Sequence, residues 1–90
     1  MAFSKEMIKK VWEKAKKIPG KDRTRYRQDP YGNALRYENY GKTSKTGWDI
    51  DHITPLSRGG SNNIRNLQAL QTITNRKKGN TLKKKSRHNQ

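Results

Sequence analysis

Asp51 and His52 stand side by side in Asp51-His52-Ile53-Thr54-Pro55-Leu56, and two carboxamides follow at Asn66 and Asn75. A carboxylate, an imidazole and a carboxamide are side chains that would hold one divalent cation beside a general base, the equipment for cutting a phosphodiester. Around them run Arg58-Gly59-Gly60-Ser61, Asn66-Leu67-Gln68 and Asn75-Arg76-Lys77-Lys78. Taken singly, an Asp-His pair reads as a surface ion pair or a turn, and each asparagine as a turn or helix-surface amide. Taken together they ask for a strand, a loop, a second strand and a helix that converge.

Those elements are legible around the motif. Trp48, Ile50 and His52 alternate with Asp49 and Asp51, the period of a strand that turns Trp48 and Ile50 inward. A regular strand sends Asp51 and His52 to opposite faces. Pro55 ends strand pairing, and Ser57 to Asn63 is rich in residues that tolerate tight turns. Asn66 to Leu70 is expected to return as the second strand, and Thr72 through Lys78 to form a short helix with Gly79 at its C-cap. Upstream, Phe3, Met7, Ile8, Val11, Trp12, Ala15 and Ile18 recur at helical spacing behind Ser4, predicting a helix over 4–18 that Pro19-Gly20 ends. In a chain this poor in apolar residues, that stripe is a core-packing face. Residues 19–46 read as loop and turn. Arg23, Arg25 and Arg27 would line one side of an extended segment, as a grip for phosphates or as a solvated basic loop. Asp29-Pro30-Tyr31-Gly32-Asn33 is a turn signal, and Ala34 to Tyr37 is a strand or a bend.

Asp-His-Ile-x-Pro-Leu, Gly-Gly-Ser, Asn-Leu-Gln-x-Leu and Asn-Arg-x-Lys-Gly resemble, in order and spacing, the HNH (His-Asn-His) endonuclease family over Gly47 to Gly79. The upstream Tyr-Gly…Gly-Trp-x-Ile-Asp-His entry is similar to that of its small bacterial and phage stand-alone members. The resemblance implies an α+β fold: a ββα-metal (His-Me finger) core, an N-terminal helix packed on it, and a basic C-terminal tail. It divides the chain into one nuclease domain over 1–80, with the core at 47–79, and a flexible tail over 81–90. It implies that the chain bends at Asp51-His52 so that both side chains reach one phosphate. His52 would be the general base, since an ordinary imidazole is largely neutral at cellular pH. Asp51 and Asn75, the latter at the family's third position, would hold the metal. Asn66 completes the catalytic set by bonding backbone across the 58–65 loop and keeping His52 in register. The His-Asn-Asn pattern departs from literal His-Asn-His and is similar to the HNH domain of CRISPR effector nucleases. Oxygen donors at both ligand positions point to Mg²⁺ or Mn²⁺. The ends left by cleavage would be 3′-hydroxyl and 5′-phosphate.

Charge names the substrate class. The 90 residues hold 22 Lys plus Arg against 7 Asp plus Glu, a net charge of +15 that calls for a polyanion. Asp51 is the last acidic residue, and beyond it lie Arg58, Arg76, Lys77, Lys78, Lys83, Lys84 and Lys85, the expected phosphate contacts. Together with the resemblance, this implies double-stranded DNA as the expected partner, with RNA also admitted, cut with little sequence preference by a monomer or homodimer. Phage DNA-packaging proteins are a candidate partner class. The alternative is a non-catalytic nucleic-acid-binding module on the same scaffold. With no cysteine there is no disulfide, thiol chemistry or Cys-ligated zinc. The first residues hold no apolar run of signal or membrane-span length, so a cytoplasmic protein is expected.

Overall fold

A computed structural model describes residues 3–78, except for the side chain of Lys78. Helix α1 (Lys5–Lys14) starts where Ser4, in extended conformation, accepts the amide of Met7 on its hydroxyl at 3.1 Å. It ends at Lys14, four residues short of the helix expected over 4–18, because Ala15 is already extended. The cause is tertiary. The guanidinium of Arg27 donates to the carbonyls of Glu13 and Ala15 at 3.1 and 2.9 Å, and Lys16-Lys17 leave the helix to pair as strand β1.

The 19–46 region is more ordered than a loop. Strand β2 (Tyr26–Gln28) pairs antiparallel with β1 and with β3 (Ala34–Arg36), giving a three-stranded sheet in the order β1-β2-β3. Asp29 holds the β2–β3 turn. Its Oδ1 accepts the amides of Tyr31 and Asn33 at 2.9 Å each, and its Oδ2 accepts Asn33 Nδ2 and the distant amide of Gln71. A buried carboxylate with four donors ties the small sheet to the second one.

That second sheet is a hairpin of β4 (Trp48–His52) and β5 (Leu67–Gln71), antiparallel, with Trp48 opposite Gln71 and His52 opposite Leu67. Helix α2 (Thr72–Lys78) follows β5 with no intervening loop and packs on both strands. Trp48, Ile50, Leu67 and Ala69 face one way and meet Val11 and Trp12 of α1 and Leu35 of β3. Aromatic rings supply much of this thin core: Trp12 and Trp48 lie 5.1 Å apart, and Tyr40 stands edge-on to Trp48 at 4.9 Å. Both indole N–H groups find backbone carbonyls, Trp12 that of Arg23 and Trp48 that of Tyr37. No helix among the described residues is long and apolar enough to cross a membrane.

Candidate metal and phosphodiester site

Strand β4 carries the first two residues of the motif to the end of the hairpin. The resemblance implies a bend at Asp51-His52, but pairing stays regular through His52, and the amide of Ile53 still reaches the carbonyl of Asn66 at 2.8 Å. The chain turns only afterwards, because Asn66 grips the next residue. Asn66 Oδ1 accepts the amide of Thr54 at 2.7 Å, while Nδ2 donates to the carbonyls of Thr54 and Ser61 at 3.0 and 2.8 Å. One carboxamide thus closes both ends of the 54–61 loop. Gly60 is required there: a Cβ on it would sit 1.8 Å from the carbonyl oxygen of Thr54 and 2.9 Å from Asn66 Nδ2.

The loop so fixed returns Asn62 to the imidazole. His52 Nε2 lies 2.7 Å from Asn62 Oδ1, and the ring centroids of His52 and Phe3 are 6.2 Å apart. A carboxamide oxygen can only accept, so this contact calls for a proton on Nε2, and in the neutral ring the lone pair is then on Nδ1. His52 is the last paired residue of β4 and is half-buried. Its neighbour Asp51 is 2 % exposed, and Gln68, directly opposite in the hairpin register, donates to its Oδ2 at 2.9 Å.

Asn75 lies in the second turn of α2, the helix packed on β4 and β5, and its Oδ1 is buried with no hydrogen-bond partner among the described residues. A buried carbonyl oxygen without a donor is costly unless something electropositive meets it. Among the described residues no three of His, Cys, Asp and Glu cluster as a metal site. The oxygen donors expected from the sequence are the Asp51 carboxylate and the Asn75 carboxamide. Arg58, on a 3-10 turn over Leu56–Arg58, and Arg76 and Lys77 on α2 are exposed. The side chain of Lys78, the expected cap at Gly79, and Lys83, Lys84, Lys85 and the rest of the tail lie outside the described residues.

With this hairpin, its loop and the helix in place, one comparison with known families falls on the same residues. Residues 38–81 match the HNH endonuclease family. The HNH segment therefore contains Asp51, His52, Asn66 and Asn75 and starts within the 3-10 turn over Tyr37–Asn39 that precedes β4. Comparisons with curated proteins and with solved structures return no match.

Arg27 corrects the row of phosphate-gripping arginines. It is 7 % exposed and spends Nε on Arg23 O and Nη1 on the carbonyls of Glu13 and Ala15 at the end of α1, so it braces the fold, while Arg23 and Arg25 sit in a turn that Asp22 organises. Asp22 Oδ1 accepts from the hydroxyl and the amide of Thr24, which together hold its carboxyl below the usual range. Around the hairpin two further groups are perturbed. Burial pushes the Lys14 ammonium down while it donates to the carbonyls of Ile64 and Leu67, and burial, aided by the Asp49 carboxylate, pushes the Tyr40 phenol up. Sequence reading missed Gln68, Asn62 and Asp29 as partners. The hairpin register would have found Gln68, since any pairing that opposes His52 to Leu67 opposes Asp51 to it.

Proposed function

We propose that the chain is a metal-dependent endonuclease that hydrolyses DNA phosphodiester bonds at the end of the β4–β5 hairpin. The HNH match makes nuclease chemistry the reading in general, and the His52–Asn62 contact is the observation that supports a specific base. With Nε2 engaged by Asn62, Nδ1 is the atom that takes the proton from an attacking water. Asn66 acts one step back, by holding Ser61 and Thr54 so that Asn62 stays against Nε2.

The donors for a cation come from the other face of β4, since regular alternation turns Asp51 away from His52, and the two would reach one phosphate around the end of the strand. The buried Asn75 Oδ1 and the Asp51 carboxylate are hard oxygen ligands, a set suited to Mg²⁺ or Mn²⁺ with water filling the remaining positions. When bound, the cation supplies charge neutralisation at the scissile phosphate and the leaving oxygen. Gln68 orients Asp51 through Oδ2. Arg58, Arg76 and Lys77 are exposed to meet flanking phosphates.

A supercoiled-plasmid assay tests the reading. Nicking is expected with Mg²⁺ or Mn²⁺, none with EDTA, and a loss of about 100- to 10,000-fold in His52→Ala. Nicking that survives the substitution undiminished refutes His52 as the base.

A further inference from the structure

Away from the hairpin, a cleft of about 560 Å³ opens between α1 and the turn that precedes β2. Its size is within the range of roughly 300 to 1,000 Å³ typical of small-ligand sites. Asp51, His52, Asn66 and Asn75 do not line it. We propose that this cleft is a second nucleotide seat, taking one phosphate and its base from a nucleic-acid chain; it rests on the nucleic-acid reading above.

One wall is a helix face. Lys9, Trp12 and Glu13 fall at i, i+3 and i+4 and look into the same space. The opposite wall is Arg23 and Thr24, with Arg27 and Tyr37 completing the lining. The walls are cross-braced before any ligand arrives. Arg27 Nε bonds Arg23 O at 2.9 Å, its Nη1 bonds Glu13 O and Ala15 O, and the Trp12 indole bonds Arg23 O at 3.3 Å. A preformed cleft binds without the cost of ordering a loop.

Charge and ring chemistry identify the occupant. Three cations, Lys9, Arg23 and Arg27, face one carboxylate, Glu13. Arg27 is the telling one. The residue is 7 % exposed, the three hydrogen bonds of its guanidinium all go to neutral carbonyls, and among the described residues no carboxylate pairs with it. A buried cation compensated only by carbonyl dipoles favours an anion in the adjoining space. Lys9 and Arg23, both exposed, would hold that anion at the mouth. Beside them the half-buried Tyr37 stands edge-on to Trp12 at 5.4 Å and offers a ring for a base to stack on. Cations next to an aromatic platform are the chemistry of strand binding without sequence readout.

The test is run on the full chain in EDTA, where no cleavage occurs, so its outcome is separable from that of the nicking assay. A ¹⁵N-labelled sample is titrated with a short oligothymidylate and, separately, with thymidine 5′-monophosphate. The oligomer should shift the Trp12 indole and the Thr24 amide, and Lys9→Ala/Arg23→Ala should weaken its binding about tenfold and flatten the salt dependence by about one to two phosphate equivalents. The charge-matched Lys42→Ala/Lys45→Ala, at exposed positions outside the cleft, should change affinity by less than about twofold. Shifts confined to the hairpin and α2, or equal losses in the two double variants, overturn the seat. Mononucleotide binding as tight as the oligomer overturns its assignment to a chain.

Discussion

Replacing Asn66 with alanine removes three hydrogen bonds at once: one accepted from the Thr54 amide and two donated to the Thr54 and Ser61 carbonyls. Each such bond contributes about 1 kcal/mol net, so the sum is at most about 3 kcal/mol. Asn66 is half-buried and water can replace part of what is lost, which brings the expected cost to about 2 kcal/mol. A domain of this size has roughly 5 to 10 kcal/mol in total, and each kcal/mol moves the midpoint by about 4–8 °C. Thermal unfolding followed by circular dichroism should therefore shift down by about 10 °C. Asn66→Asp sharpens the comparison. It keeps an acceptor for Thr54 N–H but aims a carboxylate at two carbonyl oxygens, so it should be at least as destabilising as alanine. A midpoint within about 3 °C of wild type for Asn66→Ala, or wild-type stability in Asn66→Asp, refutes the loop-clamp argument.

Gly60→Ala, whose Cβ would meet the Thr54 carbonyl oxygen at 1.8 Å, should cost about 1–3 kcal/mol in urea unfolding; a neutral result would mean that the loop relaxes freely. Asn75→Ala should leave the melting midpoint unchanged or raised, because it deletes a buried oxygen that has no partner among the described residues. The same variant should lower nicking by more than about 100-fold, beyond the ~10–100-fold typical of residues that only orient a ligand. Gln68→Ala should fall in that smaller range and be partly offset by excess Mn²⁺; full activity without added metal would remove Gln68 from the site. The Asp22 carboxyl is depressed in the fold, so its contribution is present above its ordinary pKa and fades as pH falls through the lowered one. Thr24→Val should let its NMR titration climb back toward the ordinary aspartate range, and an unmoved titration would assign the depression elsewhere.

The HNH segment was legible because its chemistry is dense in local signals: alternation through Trp48, Ile50 and His52, a proline and paired glycines in the loop, and a short helix running from Thr72. What sequence could not carry was long-range. Nothing local says that Arg27 stretches back to the end of α1, so a phosphate-gripping row was as reasonable as a brace, and the helix was drawn four residues too long. Strands β1, β2 and β3 are only two or three residues each, too short for period-two alternation to emerge, and the sheet they form is tied to the hairpin by Asp29 reaching Gln71, 42 positions away. The bend at Asp51-His52 came from resemblance, and the Asn66 clamp instead prolongs the ladder past it.

The burial of Trp48, Ile50, Leu67 and Ala69 against α1 and β3 bears on how this nuclease motif can be moved between proteins. The matched stretch begins at residue 38, yet the apolar side of its hairpin is roofed by Val11, Trp12 and Leu35, all encoded earlier. A transplant cut at the motif boundary would present the apolar face of Trp48, Ile50, Leu67 and Ala69 to water and invite aggregation. The smallest portable unit is thus the β4–β5 hairpin together with its upstream lid, and a host scaffold must either accept both or supply an apolar surface of matching shape.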